Sequence, residues 1–324
     1  TPKHMGGVGC PSVRRSIAVP ASRVPAVDRH QIQKRTVGTL MAANAFGYAG
    51  FVAVVAVAAL LSSEMTGNDS IAGIPAAAGT LGTAAAAAPL AQRSVRFGRR
   101  IGLRRGYVVG VIGCGVAFLA GQLGMFGLLV VAMAAIGVGN TANLQNRFVA
   151  ADLADADKRA RSIAMVVWVG TVGAVIGSPS ALWANRVGTS LGAEEWVTPA
   201  LLGALGFAVA GLIINTSLRP DPLEVAGGTD PDAPRQNPIE GAKRALRVVW
   251  PNVQARLAIV VMAVSQMAMV AVMTMTPLHM KDHGHADLST LVIAVHVLGM
   301  FGLAPVIGRW ADSFGRIRSV QAGA

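Results

Sequence analysis

Few side chains in this 324-residue sequence could do chemistry, and they fall in a small number of places. Asn140, Asn143 and Arg147 recur at i, i+3 and i+7, so a helix would present them on one face. Asp152, Asp155, Asp157, Lys158, Arg159 and Arg161 follow directly. Asn44 and Tyr48 repeat the i, i+4 spacing. Gln266, Thr274 and Thr276 share one stretch with Met262, Met267, Met269, Met273 and Met275. Amides and hydroxyls in an apolar stretch suit hydrogen bonding to a solute, and an arginine beside aspartates suits an ion pair that opens and closes. The alternative for Arg147 is anchoring, its head reaching for water from a helix end. His279, His283 and His285 have helical spacing only in part, and Gly284 interrupts it, so no metal site is expected. His296 sits in an apolar stretch, either as a proton carrier or as a packing residue with a hydrogen bond. Gly-x-Ser-x-Gly, His-Glu-x-x-His and Gly-x-x-x-x-Gly-Lys are all absent from the sequence. No enzymatic activity, no cofactor and no ATP-driven process is therefore expected.

The elements that must carry these residues follow from the charge distribution. The chain is 53% hydrophobic and 14% charged, with mean hydropathy +0.53 and net charge +12. Soluble domains carry about 25% charged residues. A sequence pI near 11.1 would point to nucleic acid in a soluble protein. Here too few charges remain to solvate a soluble surface, so no nucleic-acid partner is expected. The bulk is too apolar for disorder. Two cysteines exclude a disulfide framework and a four-cysteine zinc site.

Charged residues vanish in seven windows: 36–63, 70–92, 106–146, 162–185, 196–218, 257–280 and 288–308. A helix needs about 20 apolar residues to cross the hydrocarbon core. Six windows fit one crossing each, and 106–146 fits two joined near 122–127, giving six helices and then two more. Strands of a barrel would be about half as long and alternate in polarity. Window 70–92 holds Pro75, Pro89 and the run Ala84 to Ala88; we expect a buried helix whose small residues allow close packing. Gly106/Gly110 and Gly173/Gly177 have the same small-residue spacing. With the N-terminus cytoplasmic, 26 of the 28 Lys and Arg residues fall on the cytoplasmic side, leaving Arg186 and Lys281 outside. The expected layout is a disordered cytoplasmic tail (1–36), a six-helix bundle (37–218), a cytoplasmic linker (219–255) and a partial second bundle (256–324). Within the linker, Ile239, Ala242, Leu246 and Val249 mark a short amphipathic helix at the membrane surface. The fold class is all-α, a polytopic protein in contact with the lipid bilayer of a plasma membrane.

Two loops carry a family resemblance. Gly308-Arg309-Trp310-Ala311-Asp312-Ser313-Phe314-Gly315-Arg316 resembles the signature loop of the major facilitator superfamily, Gly-x-x-x-Asp-Arg/Lys-x-Gly-Arg/Lys. Ala91 to Arg100 resembles the first copy of that loop, with Arg96, Gly98, Arg99 and Arg100 in place, but with Ala91 for the leading glycine and Val95 for the aspartate. Such a pair of loops betrays an internal repeat. Gly170 to Pro179 is similar to the glycine-rich stretch of that superfamily's proton-coupled exporters, although Ser178 separates Gly177 from Pro179. Those exporters carry an arginine before a Gly-x-Gly in helix four; here Met133 holds that place before Gly137-Val138-Gly139.

The resemblance implies eight of twelve transmembrane helices, the chain being read as a fragment that starts at Thr1 without a methionine and stops after the second loop. It implies secondary transport of a small molecule by alternating access, with efflux of lipophilic or drug-like compounds and a proton as the coupling ion. Arg96, Gly98, Arg99, Arg100, Arg147, Asp152, Gly308, Asp312, Gly315 and Arg316 would form the conformational gate, Arg147 pairing with an aspartate. Helices one, four and seven line the cavity in that family, which puts Asn44, Tyr48, Asn140, Asn143, Gln266 and Thr274 on the substrate path. Gly173, Gly177 and Pro179 would make helix five a close-packed, bendable element between the two halves. The rival is a membrane sensor or assembly protein with a transporter-like fold that moves no solute.

Overall fold

The computed structural model describes residues 26–155, 158–233 and 237–302. Gly308, Asp312, Gly315, Arg316 and Asp157 lie outside the described residues.

The apolar windows become helices because each offers a long run without charge, in which backbone groups must be satisfied internally. Helix α1 spans Ala26–Thr66, α2 Ile74–Phe97, α3 Arg99–Gln122, α4 Phe126–Val149, α5 Arg159–Ser190 and α6 Pro199–Ser217. A short α7 (Pro222–Val225) and α8 (Pro238–Val249) lead to α9 (Val253–Asp282) and α10 (Ser289–Gly302). Seven of these helices are long and apolar enough to cross a membrane, and α10 is a shorter apolar helix within the described residues. The window 106–146 divides at 123–125, inside the expected break.

Helix α1 begins earlier than expected, at Ala26, so residues 26–36 are helical and not part of a disordered tail. That segment holds no Gly or Pro and contains helix-favouring Gln, Lys and Arg. In the linker, proline opens helices. Pro222 and Pro238 stand in first turns, where their missing N–H costs nothing, and Asp221 and Asn237 cap them through the N–H groups of Leu223 and Ile239. Asn252 caps α9 in the same manner.

The six helices α1–α6 share one core, built on Leu40, Leu60, Leu103, Tyr107, Leu129, Met133, Ile136, Phe207 and Ile214. Helix α1 packs chiefly on α5 and α6, α4 on α2 and α3, and α3 also on α6. Helix α2 is buried on one side only. Gly79, Ala86 and Leu90 are covered, while Leu81, Ala84, Ala85, Ala87 and Ala88 are exposed, because α4 is its one extensive neighbour among the described residues. Helix α10 lies against α5, and α9 makes a smaller contact with α1.

The contact between α1 and α5 depends on two positions without side chains. A Cβ on Gly173 would fall on the Ala45 carbonyl, and one on Gly177 on the Ala49 carbonyl. Backbone meets backbone there, the arrangement small residues permit between membrane helices. Both helices belong to the six-helix unit, so these glycines join neighbours within it and do not lie between halves. The contact toward α10 is made next door, where the Ser178 hydroxyl donates to the Thr290 carbonyl (2.6 Å). Replacing Gly177 with Leu should cost roughly 1–3 kcal/mol by overpacking. A lower thermal midpoint in detergent is the expected result, with Gly115, where an added Cβ would meet no neighbour, replaced by Leu as the control that barely moves.

Candidate functional site

Two polar constellations emerge, one at the basic end of the helices and one buried between them. At the basic end, Gly98 adopts φ +85° and lets the chain turn from α2 straight into α3. The turn places Arg99 at the first position of α3. Its Nε and Nη2 donate to both carboxylate oxygens of Asp152 at 2.8 and 3.1 Å, a bidentate pair that is largely shielded from solvent. Asp152 reaches there because the chain turns back after α4, where its N–H donates to the Val149 carbonyl.

A second carboxylate, Asp221, is buried beside Gly98. It accepts from the Arg100 backbone N–H (2.8 Å) and caps α7 through Leu223 N–H (3.0 Å). Arg96 Nε donates to the Pro231 carbonyl, and Asp230 N–H donates to the Val95 carbonyl. The linker after α6 is therefore strapped onto the α2–α3 turn. Val95 holds the aspartate's place in the loop, and two acids from elsewhere in the chain, Asp152 and Asp221, bond to this turn. Asp152 had been singled out from the sequence, whereas Asp221 had not. Its signal was the Asp221-Pro222 pair, an N-cap followed by a first-turn proline.

The pairing expected for Arg147 does not form. Asp152 is taken by Arg99, and Arg147 stacks over the Phe148 ring at 4.9 Å, its Nε buried with no partner among the described residues. Asp155 pairs locally with Lys158 (3.0 Å), whose hydrogen bond and charge hold the carboxyl below its ordinary range.

The buried constellation joins four helices. Tyr107 of α3 donates its hydroxyl to Asn143 Oδ1 (2.9 Å) and accepts from Asn146 Nδ2 (2.8 Å), both on α4. Asn146 Nδ2 also donates to Asn44 Oδ1 on α1 (3.1 Å), and Asn44 Nδ2 donates to the Val166 carbonyl on α5 (2.9 Å). Exposure is 2% for Asn44 and Asn143 and 0% for Tyr107 and Asn146. Asn44 and Asn143 are thus linked through Asn146 and Tyr107, closed from solvent and bonded to protein. Tyr107 and Asn146 complete the cluster and were missed; Asn146 falls at i+3 from Asn143, so the i, i+3 rule applied once more would have found it.

The remaining path residues are dispersed. Tyr48 is half-buried, with its ring against Gly170, and Asn140 is half-buried, with Oδ1 unpaired among the described residues. Gln266 is exposed on α9, and Thr274 sits near Gly73 at the far end of α1 and α2, so neither joins the cluster. His296 is exposed on α10, and Pro179 is exposed on α5.

Contacts between α1–α6 and α9–α10 gather at the end away from the basic loops. Lys281 Nζ pairs with Glu64 (2.6 Å) and donates to Ser63 Oγ (3.3 Å), Arg186 lies 3.6 Å from Asp287, and Leu278 packs with Ala59 and Ala72.

Long apolar helices joined by a buried amide cluster and loop-borne ion pairs are those of a multi-pass helical membrane protein. A family model described as the Major Facilitator Superfamily matches residues 37–324. The uncharacterized MFS-type transporters YddS and YdeG of Bacillus subtilis (strain 168) are 34% and 35% identical over 289 and 288 residues. Those alignments cover 89% and 88% of this chain and 66% of each relative, so the chain spans just under two thirds of their length. The riboflavin transporter RfnT of Brucella anthropi is 26% identical over 296 residues, covering 90% of this chain and 70% of that protein. The chain belongs to the major facilitator superfamily.

Changing Tyr107 to Phe leaves Asn143 Oδ1 without its donor and should cost about 1–3 kcal/mol of stability. Thermal unfolding measures it, and Asp155→Asn, at a solvated local pair, should be close to neutral.

Proposed function

We propose that the complete protein is a secondary transporter of a small lipophilic or drug-like molecule in a plasma membrane, with the N-terminus cytoplasmic. One observation supports this reading above the others. The six-helix unit meets α9 and α10 through Glu64–Lys281, Arg186–Asp287 and Ser178–Thr290, all from the middle of the helices to the end away from the basic loops. At the basic end the ion pair Arg99–Asp152 and the Asp221 contacts stay within the six-helix unit and its linker. Among the described residues no ion pair bridges the two groups of helices at the basic end, and contact at the opposite end alone fits one state of alternating access.

In this reading the gate residues divide by role. Gly98, Arg99, Arg100 and Asp152 hold the α2–α4 ends rigid, so the six-helix unit moves as one body. Arg96 ties the linker to it. Gly308, Asp312, Gly315 and Arg316 would do the equivalent work in the second half. Tyr48, Asn140 and Arg147 face the substrate, with Asn44 and Asn143 setting helix positions from behind; Gln266 and Thr274 remain candidates on α9. A proton is the coupling ion to be tried first, and efflux is the direction the exporter-like helix five supports. Because a relative is named a riboflavin transporter, riboflavin is the first compound to screen.

The test is flux in liposomes holding the complete protein, with riboflavin and a panel of lipophilic dyes under a pH gradient. Flux of at least one compound is expected. Asp152→Asn should slow it by about tenfold, a loss on the order of 1.4 kcal/mol at the transition between states, with folding retained. No flux of any compound in either direction would overturn the proposal and favour a sensor or assembly role.

A further inference from the structure

Outside the gate and the buried cluster, the basic end carries a groove between α2, α3 and α4. It encloses about 620 Å³ and is lined by Leu90, Arg93, Arg104, Arg105, Val108, Val109 and Val138. Its charges and its apolar walls are sorted by depth. Arg93 lies three residues beyond Leu90 as α2 runs toward the basic end. Arg104 and Arg105 lie one turn before Val108 and Val109 as α3 runs away from it. Both helices therefore put guanidinium groups at the rim and aliphatic side chains toward the membrane interior.

Among the described residues none of these three arginines meets a carboxylate within ion-pair distance. Arg104 donates to Asn215 Oδ1 (3.2 Å), and Arg105 lies over the Phe97 ring at 5.4 Å. These contacts orient the guanidinium groups and leave donors over. Three like charges around one groove repel one another, and an anion at the rim relieves that repulsion. Val108 and Val109 are open to the surroundings, so the apolar floor needs an apolar cover. One ligand chemistry satisfies both levels, a phosphodiester head joined to an acyl chain.

We propose that this groove binds an anionic phospholipid, with Arg93, Arg104 and Arg105 on the phosphate and Leu90, Val108, Val109 and Val138 against the first acyl segment. Basic pockets between membrane helices recognise acidic headgroups in this way. Bound there, the lipid would brace the α2–α3 turn.

The test titrates the detergent-solubilised full chain with phosphatidylglycerol, phosphatidylcholine or inorganic phosphate, with bound lipid read by native mass spectrometry. Phosphatidylglycerol should bind in preference to phosphatidylcholine, and inorganic phosphate should not displace it. Each single change, Arg93→Gln, Arg104→Gln or Arg105→Gln, should weaken binding roughly fivefold, and the three together by on the order of a hundredfold. The matched triple change Lys243→Gln, Arg247→Gln and Arg256→Gln, at a second basic groove on α8 and α9, should leave affinity at the α2–α3–α4 groove unchanged. Equal retention of phosphatidylcholine, displacement by inorganic phosphate, or full affinity in the arginine variants would overturn the assignment. If the triple variant fails to fold, the three single variants decide. None of these readouts depends on transport.

Discussion

Membrane helices gain little from hiding apolar surface from one another, since lipid is as apolar as they are, so their association rests on how closely backbones approach. That constraint governs this protein. Helix α1 is the hub, and it is held by α5 through Gly173 and Gly177 and by α6 through Gly50, Gly203 and Gly206. At Gly50, Gly173, Gly177 and Gly206 an added Cβ would strike main-chain atoms, and at Gly203 the Val54 and Cys114 side chains, so the contacts exist only because the glycines lack side chains. These five glycines serve packing and not flexibility.

Close approach has a second consequence. Once backbones are this near, polar side chains at the seam cannot reach water and must find partners in the protein. The Asn44–Asn146–Tyr107–Asn143 cluster is that solution, and it is directional where apolar packing is not. It fixes the rotational setting of α1, α3, α4 and α5 together. Those helices in turn carry Tyr48, Asn140 and Arg147, the side chains left free of the cluster. A change in the buried amides would therefore be felt as a change in where the free ones point.

The parts of this architecture that were legible in the sequence are those set by composition over a long window. Charge-free runs give the helices, and the split of 106–146 and the amphipathic α8 were readable because both rest on periodicity and length. The start of α1 at Ala26 was not, because its first turns are polar and only their lack of Gly and Pro marks them. The limit lies in partner choice. Arg147 and Asp152 are near neighbours in sequence, yet the turn after Val149 delivers Asp152 to Arg99, 53 residues away. Asp221 reaches across 121 residues to Arg100. Spacing along a chain cannot reveal which of several arginines an aspartate meets when the meeting depends on how helix ends are brought together.

The +12 net charge acquires a structural meaning from those pairings. Basic residues crowd one end of the bundle, and only a few acids are available to answer them. Asp152 and Asp221 are both spent on the short turn between α2 and α3, which makes that turn the most tightly held point at the basic end. Arg93, Arg104 and Arg105 flank it without an acidic partner among the described residues. Excess positive charge of this kind opposes close approach of a second basic helix pair, whereas the other end, with Glu64 facing Lys281 and Asp287 facing Arg186, attracts. Electrostatics alone therefore biases the described helices toward contact at the sparsely charged end and separation at the basic one.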